Sequence, residues 1–72
     1  MSDTKKHSVV VSGHGTSISL EPIFWEELTE IARMRGVSVN TLISEIDRAR
    51  EGTLSAAVRV FVVQDLRRRA GI

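Results

Sequence analysis

The feature that most constrains the fold is a change of hydrophobic period at Pro22. Before it, the segment TSISL, residues 16–20, alternates polar and apolar side chains, which is typical of a strand with one buried face. The face expected to be buried comprises Thr16, Ile18 and Leu20. After Pro22, apolar side chains recur about every 3.6 residues, as they do on one face of a helix. The chain therefore leads from a short strand into helical sequence.

Valines and glycines precede this strand. Residues 9–11 are three consecutive valines with high β propensity, and Gly13 and Gly15 follow them. The glycines indicate either a bulge in one long strand or the loop of a small hairpin. One interrupted strand is the first expectation, and the hairpin is the alternative.

Three helices are expected after the strand. The first spans residues 22–35 and ends at Gly36, which suits a left-handed helix stop. The second begins after Ser38, whose side chain is a good N-cap, and runs to about residue 51. The third spans residues 54–69, which is too long for an ordinary strand despite its β-branched residues. The expected fold class is therefore mainly α with one short β-strand.

A lone strand leaves its backbone groups unpaired, so a second copy is the simplest partner for it. We expect the strands of two chains to pair antiparallel across a two-fold axis, above a shared helical core. With 72 residues the chain is one domain, predicted at 8–72, after a mobile arm at 1–7. The expected dimer core comprises Ile18, Leu20, Phe24, Trp25, Leu28, Leu42, Ile43, Ile46 and Phe61.

Three motifs in fixed order carry a family resemblance: TSISLEP, then IFWEELTEIARMRG, then VSVNTLISEIDRA. Together they resemble the ribbon-helix-helix proteins of the Arc and MetJ repressor type, in a bacterial subgroup with an additional C-terminal helix. The resemblance implies a homodimer that inserts a two-stranded β-ribbon into the DNA major groove and regulates transcription. The alternative is an antitoxin-like or protein-interaction module on the same fold, with weak or no DNA binding.

The resemblance also implies which residues touch DNA. It assigns base contacts to Gly15, Ser17 and Ser19, and phosphate contacts to Ser38, Val39 and Asn40. The second set agrees with general physics, because a helix N-terminus presents unpaired N–H groups and a partial positive charge to an anion.

Basic residues near the N-terminus are further candidates for the DNA backbone. Lys5 and Lys6 suit an arm that reaches phosphates, although a solubilising tail is the plainer interpretation. His14 is a candidate for a contact at the end of the ribbon, and an exposed loop histidine is the alternative. The arginines at 67–69 are expected to complement the dipole of the last helix.

The composition excludes several classes of function. There is no cysteine, and no third ligand accompanies His7 and His14, so we expect no metal and no other cofactor. No nucleophile motif or phosphate-binding glycine loop is present, so we do not expect an enzyme. No apolar run is long enough for a membrane, and a cytoplasmic location is expected. The C-terminal segment AAVRVFVV either enlarges the dimer core or binds a protein partner.

Overall fold

The computed structural model describes residues 3–71, which form a two-stranded antiparallel sheet followed by three helices. The elements are β1 (Lys5–Val11), β2 (His14–Leu20), α1 (Pro22–Arg35), α2 (Val39–Ala49) and α3 (Leu54–Ala70). The mainly helical class and all three predicted helices are confirmed. None of the helices in the described residues is long and apolar enough to cross a membrane.

A hairpin turn joins the two strands, so the expectation of one interrupted strand is wrong. Ser12 and Gly13 both have positive φ, 50° and 84°. Two such residues form a tight turn whose twist matches that of the flanking strands. β2 therefore pairs with β1 of its own chain, from Val11 opposite His14 to Lys5 opposite Leu20. Pairing between two copies stays a prediction.

β1 also includes residues 5–7, which were expected to belong to a mobile arm. His7 lies on the inner face of the hairpin and stacks on Trp25, with the ring centroids 3.7 Å apart and the planes 5° from parallel. Strand pairing and this stacking hold the segment in place. Residues 3–4 precede the strand and are exposed, and residues 1–2 lie outside the described part of the chain.

The inner face of the hairpin packs on the helices. The buried core comprises Val9, Val11, Ile18, Leu20, Leu28, Ile31, Ala32, Leu42, Ile43, Ile46, Val58 and Val62. Phe24, Trp25 and Phe61 are partly buried against it. Thr16 is exposed, contrary to expectation, because the helices cover β1 as far as Val11 but cover β2 only from Ile18 onward. These residues form the core of one chain, and their sharing between two chains stays a prediction.

A buried carboxylate joins α1 to α3. Asp65 is 5% exposed, whereas its apolar neighbour Leu66 is 39% exposed. Asp65 accepts hydrogen bonds from Arg35 at 2.8 Å and Arg68 at 3.0 Å, and its second oxygen lies 2.9 Å from Nε of Arg69. Burial raises the pKa of Asp65, but the hydrogen bond from Arg35 and the arginine charges outweigh it and hold that pKa below its ordinary value.

The substitution Asp65→Asn is expected to destabilise the fold by about 2 kcal/mol, because it leaves buried polar groups poorly paired. The lowered pKa means that the carboxylate stabilises the folded state above its unfolded pKa of about 3.9, and that this contribution disappears as pH falls through the folded pKa. Urea denaturation should therefore show that the free energies of unfolding of the parent protein and of Asp65→Asn converge at acidic pH. The control Asp3→Asn removes the same charge from an exposed residue. An equal effect of both substitutions would contradict a specific role for Asp65.

Candidate nucleic-acid interface

The outer face of the hairpin is a continuous exposed surface. Its three cross-strand pairs are Lys6 with Ser19, Ser8 with Ser17, and Val10 with Gly15, and all six residues are exposed. The structure thus brings the predicted base-contacting residues of β2 together on the surface. Period-two alternation causes this, since Val9, Val11, Ile18 and Leu20 on the opposite face enter the core.

Half of this face comes from β1, for which the sequence predicts no base contact. Lys6 was expected in an arm that reaches phosphates, and Ser8 and Val10 were not among the predicted site residues. The only sequence signal is that Ser8 and Val10 flank the apolar Val9, and it does not define which residues of β2 they face. Lys6 adds a long cationic side chain beside Ser19. Lys6 gives this face a long hydrogen-bond donor, which Gly15 cannot provide because it has no side chain.

The other predicted backbone contacts lie at the ends of the hairpin. Lys5 is exposed at the start of β1, opposite Leu20. His14 is exposed next to the turn, opposite Val11. The structure therefore separates these two residues along the length of the sheet.

The start of α2 has the predicted N-cap. The Ser38 hydroxyl accepts a hydrogen bond from the backbone N–H of Thr41 at 3.0 Å and donates one to the Thr41 hydroxyl at 2.8 Å. This cap satisfies one N–H of the first turn, while Val39 and Asn40 occupy positions whose N–H groups have no partner within the helix. The predicted phosphate-contacting residues thus stand at a positive helix end.

Two hydrogen bonds attach α2 to the edge of β1. The side-chain oxygen of Asn40 accepts a hydrogen bond from the backbone N–H of Val10 at 3.1 Å. The hydroxyl of Ser44 accepts one from the backbone N–H of Ser12 at 2.9 Å. The start of α2 is consequently fixed beside the outer face of the hairpin. Asn40 thus has a positioning role in addition to the predicted phosphate contact, and no sequence pattern signals a bond between residues thirty positions apart.

A depression of about 370 Å³ lies between α2 and the hairpin turn. It is lined by Gly13, Asn40, Arg48 and Glu45, among other residues. Arg48 is exposed and forms no ion pair within residues 3–71, so its charge is available beside the turn. Across the same described range, no three His, Asp or Glu side chains are grouped to hold a metal.

A family model described as a ribbon-helix-helix domain matches residues 4–66. The chain belongs to the ribbon-helix-helix family. The match covers the hairpin, α1, α2 and most of α3. This family is a non-enzymatic DNA-binding fold, typical of regulators that bind DNA as dimers. No curated protein and no solved structure is significantly similar to the chain.

We expect Asn40→Ala to loosen β1 from α2 without unfolding the domain. One ordinary hydrogen bond contributes about 1 kcal/mol, so the amide hydrogen of Val10 should exchange about fivefold faster. Hydrogen exchange followed by NMR measures this. The matched control Ser44→Ala should instead accelerate exchange at Ser12. If exchange at Val10 is unchanged in Asn40→Ala, the bond does not hold the two elements together.

Proposed function

We propose that this ribbon-helix-helix protein binds duplex DNA as a homodimer and regulates transcription, with the outer face of the hairpin in the major groove. The observation that carries the proposal is the exposed face of Lys6, Ser8, Ser17 and Ser19 with a helix N-terminus fixed at its edge. Hydroxyls and an ammonium group bind base edges and phosphates. A cytoplasmic location follows from access to the DNA.

The dimensions of the hairpin suit the groove. Its two strands lie about 4.8 Å apart, and the major groove is about 12 Å wide. A four-stranded sheet, formed by joining two hairpins through β2, would measure about 14 Å between its outer strands. That sheet is wider than the groove. A two-stranded ribbon is therefore the unit proposed to enter the groove, and pairing of strands between two chains stays a prediction.

Phosphate binding is assigned to the start of α2. The N–H groups of Val39 and Asn40, with the partial positive charge of the helix end, favour an anion there. Because the Asn40–Val10 hydrogen bond fixes this end beside the hairpin, a phosphate at α2 sets the depth and direction of the hairpin in the groove. Lys5, His14 and Arg48 are proposed as additional contacts to the DNA backbone.

The alternative is a protein-interaction or antitoxin-like module with weak or no DNA binding. The Val10 and Gly15 end of the outer face supports it, since neither side chain there donates a hydrogen bond and Val10 is 46% exposed. The net charge of +1 also provides little general attraction to a polyanion. DNA affinity in solution decides between the two functions.

The direct test is fluorescence anisotropy of a labelled random-sequence duplex over a salt series. The logarithm of the affinity should fall linearly with the logarithm of salt concentration, with a slope of about −0.9 per neutralised phosphate. In Lys6→Gln, which removes one cation from each chain of the proposed homodimer, the slope should become less negative by about 1.8. In the control Arg33→Gln, which removes a charge from α1 outside this surface, the slope should stay as in the parent protein. A folded protein that binds no duplex at low salt would exclude the DNA function and leave the interaction module.

Base contacts are tested separately by the double substitution Ser17→Ala with Ser19→Ala. Duplexes selected from a randomised pool should lose at least about thirtyfold of their advantage over random duplex, because each of the two hydroxyls in a chain contributes about 1 kcal/mol of hydrogen bonding. Affinity for random duplex should stay the same. Ser55→Ala on α3 serves as the control. Retained preference in the double variant would show that the serines do not contact bases.

A further inference from the structure

The outer face of the hairpin changes character along its length. Its two pairs toward the open end are formed by a lysine and three serines, whereas the pair beside the turn, Val10 with Gly15, has a single apolar side chain. Val10 is 46% exposed. A lone exposed valine is ordinary on a protein surface, so its meaning depends on its surroundings and on what this face contacts.

No feature of the backbone or the packing explains a glycine at position 15. The φ angle of Gly15 is not positive, and the strand register is uninterrupted along the whole hairpin, so this residue marks neither a turn nor a bulge. A Cβ atom added to Gly15 would meet no heavy atom from another part of the described chain within 4 Å. Glycine inside a strand weakens the strand, and it often marks a place where a ligand approaches closely. The space above Gly15 is therefore open to a group that lies against Val10.

This space belongs to a depression of about 450 Å³, which is lined by Val10, Gly15, Thr16 and Asn40, among other residues. The backbone N–H of Val10 donates a hydrogen bond to the side-chain oxygen of Asn40 at 3.1 Å. Val10 is consequently fixed with respect to the start of α2, where a phosphate is proposed to bind. A ligand group in the depression meets a positioned apolar side chain rather than a loose one.

The major groove of DNA presents one apolar group, the C5-methyl group of thymine. A cytosine methylated at C5 carries the same group at the same ring position. Serine hydroxyls and a lysine ammonium group match the oxygen and nitrogen atoms of the base edges, but they do not match this methyl group. On the outer face, Val10 is the one large apolar side chain that can contact it.

We propose that Val10 and Gly15 determine specificity for a 5-methylpyrimidine, which is thymine in unmodified DNA. The methyl group packs against the side chain of Val10, and the absence of a side chain at Gly15 lets the base edge approach the strand. The inference rests on the proposed function, since it names the base that the outer face recognises beside the turn. It also gives the apolar end of this face a role in DNA binding. Each chain of the homodimer contributes one such contact.

Uracil substitution tests the methyl contact by itself, because deoxyuridine differs from thymidine only in lacking the C5-methyl group. In a duplex selected from a randomised pool, each thymine is replaced in turn and the affinity is measured by fluorescence anisotropy. One A·T pair in each half-site should be sensitive to the replacement. Replacement in both half-sites should lower the affinity about sixteenfold, since burial of one methyl group contributes about fourfold. Equal affinity with uracil at every position would overturn the proposal.

The substitution Val10→Ser assigns the contact to this residue. It makes the pair beside the turn polar, so duplexes with thymine and with uracil should bind within about twofold of each other. The matched control is Val63→Ser on α3, which removes a valine of nearly equal exposure, 45%, from outside the outer face. This control should keep the full preference for thymine. Circular dichroism should show that both variants are folded, because both side chains are largely exposed. A Val10→Ser protein that still prefers thymine would overturn the assignment.

Methylated cytosine separates recognition of the methyl group from recognition of duplex shape. With a C·G pair at the uracil-sensitive position, methylation at C5 in both half-sites should raise the affinity of the parent protein about sixteenfold and leave that of Val10→Ser unchanged. If methylation and uracil have no effect on a protein that binds duplex DNA, this proposal is wrong and the proposed function stands. A protein that binds no duplex at low salt would overturn both.

Discussion

The rest of the structure depends on the turn at Ser12 and Gly13. Their positive φ angles reverse the chain within two residues, so β2 finds its partner inside the same chain. The reversal also places Val9 and Val11 beside Ile18 on one face, which makes a small apolar surface wide enough for the helices to cover. Two strands alone are marginally stable in water, and packing on helices supplies the missing burial. The same reversal exposes the polar face that is proposed to meet DNA.

The helices could be predicted because their signals are local. Pro22 in the first turn, the N-caps Ser38 and Thr53, and the left-handed Gly36 each act through neighbouring backbone groups. The hairpin could not be predicted in the same way, because the local sequence signal for its turn is weaker. A serine at positive φ is uncommon, so Ser12 is a weaker sequence signal for this turn than asparagine or glycine would be.

The β2 residues of the candidate site could be predicted from the sequence, but the residues that β1 adds to it could not. Alternation alone places Ser17 and Ser19 outward, whereas the addition of Lys6 depends on a pairing register that the turn defines. The bond from Val10 to Asn40 depends on the packing of α2, so it has no local signal. On α3, Asp65 rather than Leu66 lies on the buried side, because three arginines compensate for the burial of its charge. Hydrophobic periodicity alone does not predict such ion pairing.

The outer face of the hairpin is turned away from the helices, so the core leaves it uncovered. Each chain carries a net charge of only +1, so affinity for DNA must come from a few local cations and helix ends rather than from overall charge. A dimer doubles the number of those contacts, and the contacts of the second chain form at the high effective concentration that those of the first chain establish.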